Sequence, residues 1–255
     1  MQDELEQGAR ALGLTLKANQ VQALIEYARL IEKWNKAFNL VSRRDVDRLV
    51  GRHLLDSLSA VPYLPSEPGD HVLDIGSGAG LPGVALAIAA PHLKFVLCDR
   101  NARRVRFLQR VVQALEMDHV VAVERDLQPG EAWHNAQGQT VQFAAVVARA
   151  VQPADVMWRL CEGLLAPQGE LLIYESVRLP DEALAGSADD PDGSAAPAEP
   201  SEPADKEGSH ALDALEFEND LAVSRHTYSV PNPATNPARN IVPVHTLLRI
   251  RATAQ

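Results

Sequence analysis

The sequence predicts an α/β fold: a mostly parallel seven-stranded sheet with helices on both faces, behind an N-terminal helical extension. Three observations predict it. Short apolar runs alternate with helical patterns from His71 onward, a glycine-rich turn follows the first run, and two more strand-like runs follow a long polar insert. Strand–helix alternation with short links gives a parallel sheet covered on both sides.

Taken in order, Val21, Leu24, Ile25, Ala28 and Ile31 recur at the 3.6-residue period of an amphipathic helix over residues 18–34. A second helix is expected from about Asp45 to Ala60, with Val46, Leu49, Val50, Leu54 and Leu58 inward and Arg44, Arg48 and Arg52 in a row opposite. Pro62, Pro65, Pro68 and Gly69 then mark a boundary. His71–Ile75 reads as the first strand, and a helix opens at Pro82, a residue suited to a first helical position. Lys94–Asp99 is the second strand, before a helix with Val105, Leu108, Val112 and Leu115 inward. Further strands are expected at Val120–Glu124, Phe143–Ala148 and Glu170–Glu175, with a helix near Ala154–Leu165 between the last two. Leu221–Val230 and Ile241–Ile250 are expected to complete the sheet as a hairpin. The expected organisation is therefore an extension over 1–65, an α/β core over 66–180, an insertion over 181–210 and C-terminal strands over 211–255.

The insertion holds four prolines and no aromatic or β-branched residue, so it buries too little to offset its ordering entropy and is expected to be disordered. It also carries nine acids and one lysine. Of the net charge of −10 it therefore accounts for −8, and −2 is left elsewhere. Overall acidity thus does not exclude a nucleic-acid partner. The longest apolar stretch, Val84–Ala90, is too short for a membrane span, and the polar start MQDELEQGAR is no secretory signal. Cys98 and Cys161 lack metal-ligand spacing and read as packed thiols. A cytoplasmic protein without a metal is expected.

Chemistry concentrates in Asp74-Ile75-Gly76-Ser77-Gly78-Ala79-Gly80-Leu81-Pro82-Gly83. Glycines after a strand let the backbone turn tightly and approach a ligand held at the strand's carboxyl end. Counted from Gly76, a dinucleotide fingerprint, G-x-G-x-x-G, puts its third glycine where Leu81 stands. The spacing D-x-G-x-G-x-G suits instead S-adenosylmethionine, which has no pyrophosphate to seat on a helix N-terminus. Asp99, ending the second strand, is placed to accept hydrogen bonds from a ribose diol. The plain alternative is a tight strand–helix turn. These features predict a Rossmann-like class I methyltransferase fold.

Four blocks carry a closer likeness: Trp34–Leu40, Arg52–Leu58, Asp74–Gly83 and Arg104–Leu108, with an echo at Arg149-Ala150. In these the chain resembles the RsmG (GidB) family, S-adenosylmethionine-dependent methyltransferases acting on guanine N7 in the 530 loop of 16S rRNA. The likeness covers roughly residues 20–175. It implies cofactor contacts at Gly76, Leu81, Asp126, Leu127 and Arg149, and 16S rRNA or the small subunit as partner. Departures are Tyr174-Glu175-Ser176 where the family has Lys-Gly, Ala148 where Ser or Thr precedes the arginine, and the insertion.

Guanine N7 has a lone pair and no proton, so its methylation needs positioning and no general base. Asn39, His53, Asp56 and Ser57 are the candidates to orient the base. His53 and Asp56 could equally bond each other or cap a neighbour, and Asn39 could hold a turn. Trp34 and Phe38 read as core, with a stacking platform as the alternative. Arg48 and Arg52, with Arg103, Arg104 and Arg106, are the candidates for phosphate contact; solvated faces are the alternative. Competing readings are a methyltransferase of the same fold for a small molecule or protein, a nicotinamide-dependent oxidoreductase, and a non-catalytic adaptor.

Overall fold

The computed structural model describes residues 1–176, 221–229 and 244–252. The expected insertion at 181–210 lies outside them, as do the outer ends of the two late strands at Val230 and Ile241. Seven strands form one sheet: β1 (His71–Ile75), β2 (Lys94–Asp99), β3 (Val120–Glu124), β6 (Phe143–Arg149), β7 (Leu165–Ser176), β8 (Leu221–Ser229) and β9 (Val244–Ala252). Their order is β3-β2-β1-β6-β7-β9-β8. The first five run parallel, and β9 lies antiparallel between β7 and β8. The chain builds outward from β1 to β3, then returns to β6 on the other side of β1. That reversal opens a crevice at the carboxyl ends of β1 and β6, where open α/β sheets bind ligands.

Side-chain alternation divides the core between the two faces. Val72 of β1 points toward α2 (Ala18–Phe38), α4 (Gly83–Ala89) and α5 (Ala102–Ala114), joined by Phe95, Leu97 and Val147. Leu73 and Ile75 point the other way, toward α6 (Ala154–Cys161) and Trp133 of a small hairpin, β4 (Trp133–His134) with β5 (Thr140–Val141). Period-2 alternation on a doubly covered strand requires this division. Both cysteines are buried, and burial pushes each thiol up to about 12, as expected of packed rather than reactive thiols.

The extension shares the first of these cores. α1 (Gln2–Ala11), not foreseen in the polar N-terminus, buries Leu5 and Ala9 and packs Gly8 so close to Leu55 that a Cβ there would collide with it. On α2, the Gln20 amide donates to the carbonyls of Ile88 at 3.0 Å and Ala89 at 2.9 Å. It thereby satisfies the end of α4. About two turns along, the Tyr27 hydroxyl donates to Ala79 O at 2.7 Å. Hence α2 climbs from the amino edge of the sheet to the carboxyl edge.

The expected helix over 45–60 is corrected. A 3-10 segment covers Arg43–Arg48, a π-helix covers Leu49–Leu54, and only Leu55–Leu58 (α3) is α-helical. Gly51 weakens the α-helix at this place, and π turns cluster at functional sites. Because the helix type changes after Arg48, no single α-helix with i, i+4 spacing runs through this stretch. Arg48 is exposed; the side chains of Arg44 and Arg52 are outside those described. Among the described residues no helix is long and apolar enough to cross a membrane, and no group of His, Cys, Asp or Glu is arranged to hold a metal ion.

Replacing Gln20 by Leu leaves two helix-terminal carbonyls without their donor, so stability should drop by about 1–3 kcal/mol. Urea unfolding checks it: the midpoint should fall while the m-value holds.

Candidate functional site

The turn after β1 is built from backbone constraints. Gly76, Gly78 and Gly80 have φ of 69°, 57° and 88°, the left-handed region that glycine adopts without a Cβ penalty. The three positions differ in what they face. A Cβ on Gly76 would meet Val151 at 2.7 Å, and one on Gly80 would meet Val84 at 2.5 Å and the Tyr27 hydroxyl at 2.9 Å. A Cβ on Gly78 would meet nothing nearer than Gly76 O at 3.7 Å. Gly76 and Gly80 are therefore packed, and Gly78 faces the open crevice. Leu81 is buried in the core, so only its backbone is available to a ligand.

Two carboxylates flank the turn. Asp99, at the end of β2, accepts from Gly78 N–H on Oδ2 and from Asn101 N–H on Oδ1, each at 2.8 Å. Arg104 Nη1 approaches the same Oδ2 at 3.5 Å. Each oxygen keeps a second lone pair for a further donor. Asp74 lies beneath the turn, fully buried, its Oδ2 accepting from Gly83 N–H at 3.0 Å. A Cβ on Gly83 would collide with this carboxyl and with Leu97. Burial raises Asp74 to about 7, against the lowering effect of Ser77, the Gly83 amide and Arg149. Asp74 thus supports the turn from below.

Across the crevice, Arg149 ends β6. Its Nη1 donates to Asp56 Oδ2 and its Nη2 to His53 Nδ1, both at 3.1 Å. A guanidinium only donates, so His53 Nδ1 accepts and its proton sits on Nε2, 3.8 Å from Asp45 Oδ2. Asp56 Oδ1 accepts from the Tyr228 hydroxyl at 2.6 Å and from His245 Nδ1 at 3.0 Å. Tyr174 donates to Ser57 O at 2.5 Å, binding α3 to β7. Burial pushes the Asp56 carboxyl up, yet His245, Arg149 and Tyr228 together outweigh it and hold the group below the usual carboxylate range. After Arg149 the chain turns through Ala150 at φ 54° and sets Val151 against Gly76. The arginine and the glycine turn are thus mechanically one unit.

Of the residues singled out from sequence, His53, Asp56 and Arg149 meet directly, and Gly76, Gly78, Asp74 and Asp99 form the turn beside them. Asn39 stays apart: it is exposed, with φ 46°, as the left-handed cap of α2, the turn-holding alternative. Leu127 packs in the second core while Asp126 is exposed beside it. Arg103 and Arg106 are exposed on α5, whereas Arg104 turns toward Asp99. Phe38, read as core, is 45% exposed. Tyr228 and His245 were not foreseen. They are cross-strand partners on β8 and β9, a pairing that carries no short-range sequence signal.

The turn fits S-adenosylmethionine by its own geometry: an open face at Gly78 for close backbone approach, and a carboxylate at the end of β2 for the ribose. Sheet order and site together define a class I methyltransferase. Among solved structures, precorrin-6y C5,15-methyltransferase from Geobacter metallireducens superposes with a TM-score of 0.51 at 12% identity, covering 85% of this chain and 92% of that one. The YcgJ protein of Bacillus subtilis gives 0.50 at 13%, covering 79% and 100%. These establish the fold alone. The family model for rRNA small subunit methyltransferase G (GidB) matches residues 20–189. Ribosomal RNA small subunit methyltransferase G of Ectopseudomonas mendocina is 41% identical over 64% of this chain and 78% of its own length. That of Cellvibrio japonicus is 38% identical over 72% and 82%. The chain belongs to the rRNA small subunit methyltransferase G family and is an S-adenosylmethionine-dependent methyltransferase.

Two predictions follow from this geometry. Gly78→Ala, and more so Gly78→Val, should weaken S-adenosylmethionine binding at least about tenfold, because a Cβ fills the approach face. Titration calorimetry on the folded variants checks it, and unchanged affinity would remove Gly78 from the site. The second concerns Asp74. Its folded pKa lies above the unfolded value of about 3.9, so the folded state holds the extra proton and stability falls as pH rises from about 4 to 7. Asp74→Asn keeps an acceptor for Gly83 without titrating. Its melting temperature should therefore fall less than the wild type's between pH 5 and pH 8; parallel profiles would contradict the buried-acid assignment.

Proposed function

We propose that this enzyme methylates N7 of a guanine in the 530 loop of 16S rRNA, in the cytoplasm. The observation that carries the reading is the convergence on one crevice of the cofactor turn, Arg149 and the His53–Asp56 segment. When bound, S-adenosylmethionine supplies an electrophilic methyl group. Gly76, Gly78, the Leu81 backbone, Asp99 and Arg149 are the residues proposed to hold it, with Asp126 and Leu127 beside the adenine.

The protein's own task is orientation. The N7 lone pair needs no deprotonation, and among the described residues the crevice presents no nucleophile–base pair. His53 and Asp56, held by Arg149, are proposed to fix the guanine. Because Asp56 is bonded on both oxygens and its pKa is lowered, it stays ionised at neutral pH. A fixed carboxylate favours a base that gains positive charge during transfer, and preorganised charge costs no rearrangement at that moment. Mapping N7-methylguanine in 16S rRNA from cells lacking the protein tests the reading. The mark should be absent and should return on complementation.

The phosphate surface is assigned to Arg103 and Arg106, with Arg48 and Arg52 on the extension. Arg104 is divided between this role and Asp99. Each phosphate contact releases counterions, so Arg103→Glu with Arg106→Glu should weaken RNA binding and flatten its log–log salt slope by about one unit per lost contact. Filter binding over a salt series checks it. S-adenosylmethionine affinity should stay unchanged, and an unaltered slope would mean these arginines face only solvent.

A further inference from the structure

Phe38 is exposed for a reason that core packing does not supply. Its ring stacks on Trp34 at a centroid distance of 5.4 Å and an interplanar angle of 27°. Trp34 in turn meets Phe107 of α5 edge-on at 5.8 Å. The half-buried Trp34 fastens the pair to the core, so Phe38 is a ring bound on one flank and 45% exposed. An exposed phenyl ring forgoes the gain that burial brings.

The helix this stack leans on carries exposed cations. α2 climbs toward the carboxyl edge of the sheet, and from Tyr27, beside the glycine turn, the helix continues about 16 Å further to Phe38. α5 descends from that same edge. The Trp34–Phe107 contact seats the stack against α5, on which Arg106 directly precedes Phe107 and Arg103 lies one turn before it, both exposed. Among the described residues neither arginine has an acidic partner. A lone ring beside guanidinium groups suits a flat base with charged phosphates better than an apolar peptide, which would need a wider patch.

We infer that the Trp34–Phe38 stack is a platform for an unpaired nucleobase of the RNA, with Arg103 and Arg106 taking the flanking phosphates. The inference rests on the RNA reading above and deepens it. Single-stranded RNA offers its bases to aromatic rings, whereas an A-form duplex hides them. Stacking tolerates any base, because every base has a π face. The platform therefore grips RNA without reading sequence.

The test compares two probes at fixed salt: an oligouridylate, and an abasic ribose-phosphate oligonucleotide of equal length. Phe38→Ala should bind oligouridylate about tenfold more weakly and the abasic probe as tightly as wild type. Phe38→Tyr should restore binding, and Arg103→Ala should weaken both probes. S-adenosylmethionine affinity of Phe38→Ala should equal that of wild type. Unchanged oligouridylate binding in Phe38→Ala would overturn the platform while leaving the RNA reading in place. Equal losses on both probes, or loss of cofactor affinity, would assign the ring to helix packing and overturn it too. A wild-type protein that binds neither probe would remove the RNA reading itself.

Discussion

The Arg149–Asp56 pair is the interaction on which the rest of the structure depends. Taking two opposite charges out of water is unfavourable unless geometry and further hydrogen bonds compensate. Here compensation is spread across the molecule. The extension supplies His53 and Asp56, the parallel sheet supplies Arg149, and the antiparallel strands supply Tyr228 and His245. Removing any one member leaves a buried charge or donor short of a partner, so the network fixes how three segments distant in sequence sit together. Its position at the carboxyl end of β6 makes that fixed point part of the crevice wall.

The glycine turn meets the same demand from the other side. Gly76 is packed by Val151, which follows Arg149, and Gly80 is packed by Tyr27 of the extension. Only Gly78 is left open. A turn clamped at both ends and free in the middle presents its backbone to a ligand without rearranging, which lowers the entropy lost on binding.

Much of this was legible in the sequence, for physical reasons. β1, β2 and β3 are short apolar runs bounded by turn residues, and their ends were located to the residue. Leu165–Ser176 starts earlier than expected, because Leu165 already pairs with Phe143; Pro167 and Gly169 do mark a break, with Gln168 at φ 67° and a register shift before Glu170 pairs with Ala145. α1 escaped notice because it buries few residues and is otherwise polar. The 45–60 region misled because its apolar spacing fits α, 3-10 and π turns alike. His53, Asp56 and Arg149 were found through local blocks. Tyr228 and His245 could not be, since only strand pairing brings them together, and Trp34 and Phe38 share a helix face whose far end passes beyond the core.

The placement of β9 has a consequence for how the protein is made. β9 follows β8 in sequence yet lies between β7 and β8, so β7 keeps an open edge until β9 arrives. A chain emerging from the ribosome can complete the parallel sheet and seat Arg149 on Asp56 early. The Tyr228 contact to Asp56, however, spans 172 residues, and contacts so distant in sequence form late and slowly. During that interval Leu171–Ser176 is an unpaired strand edge, a template for association with other chains. Aggregation risk and the last step of site assembly therefore coincide, and one strand insertion ends both.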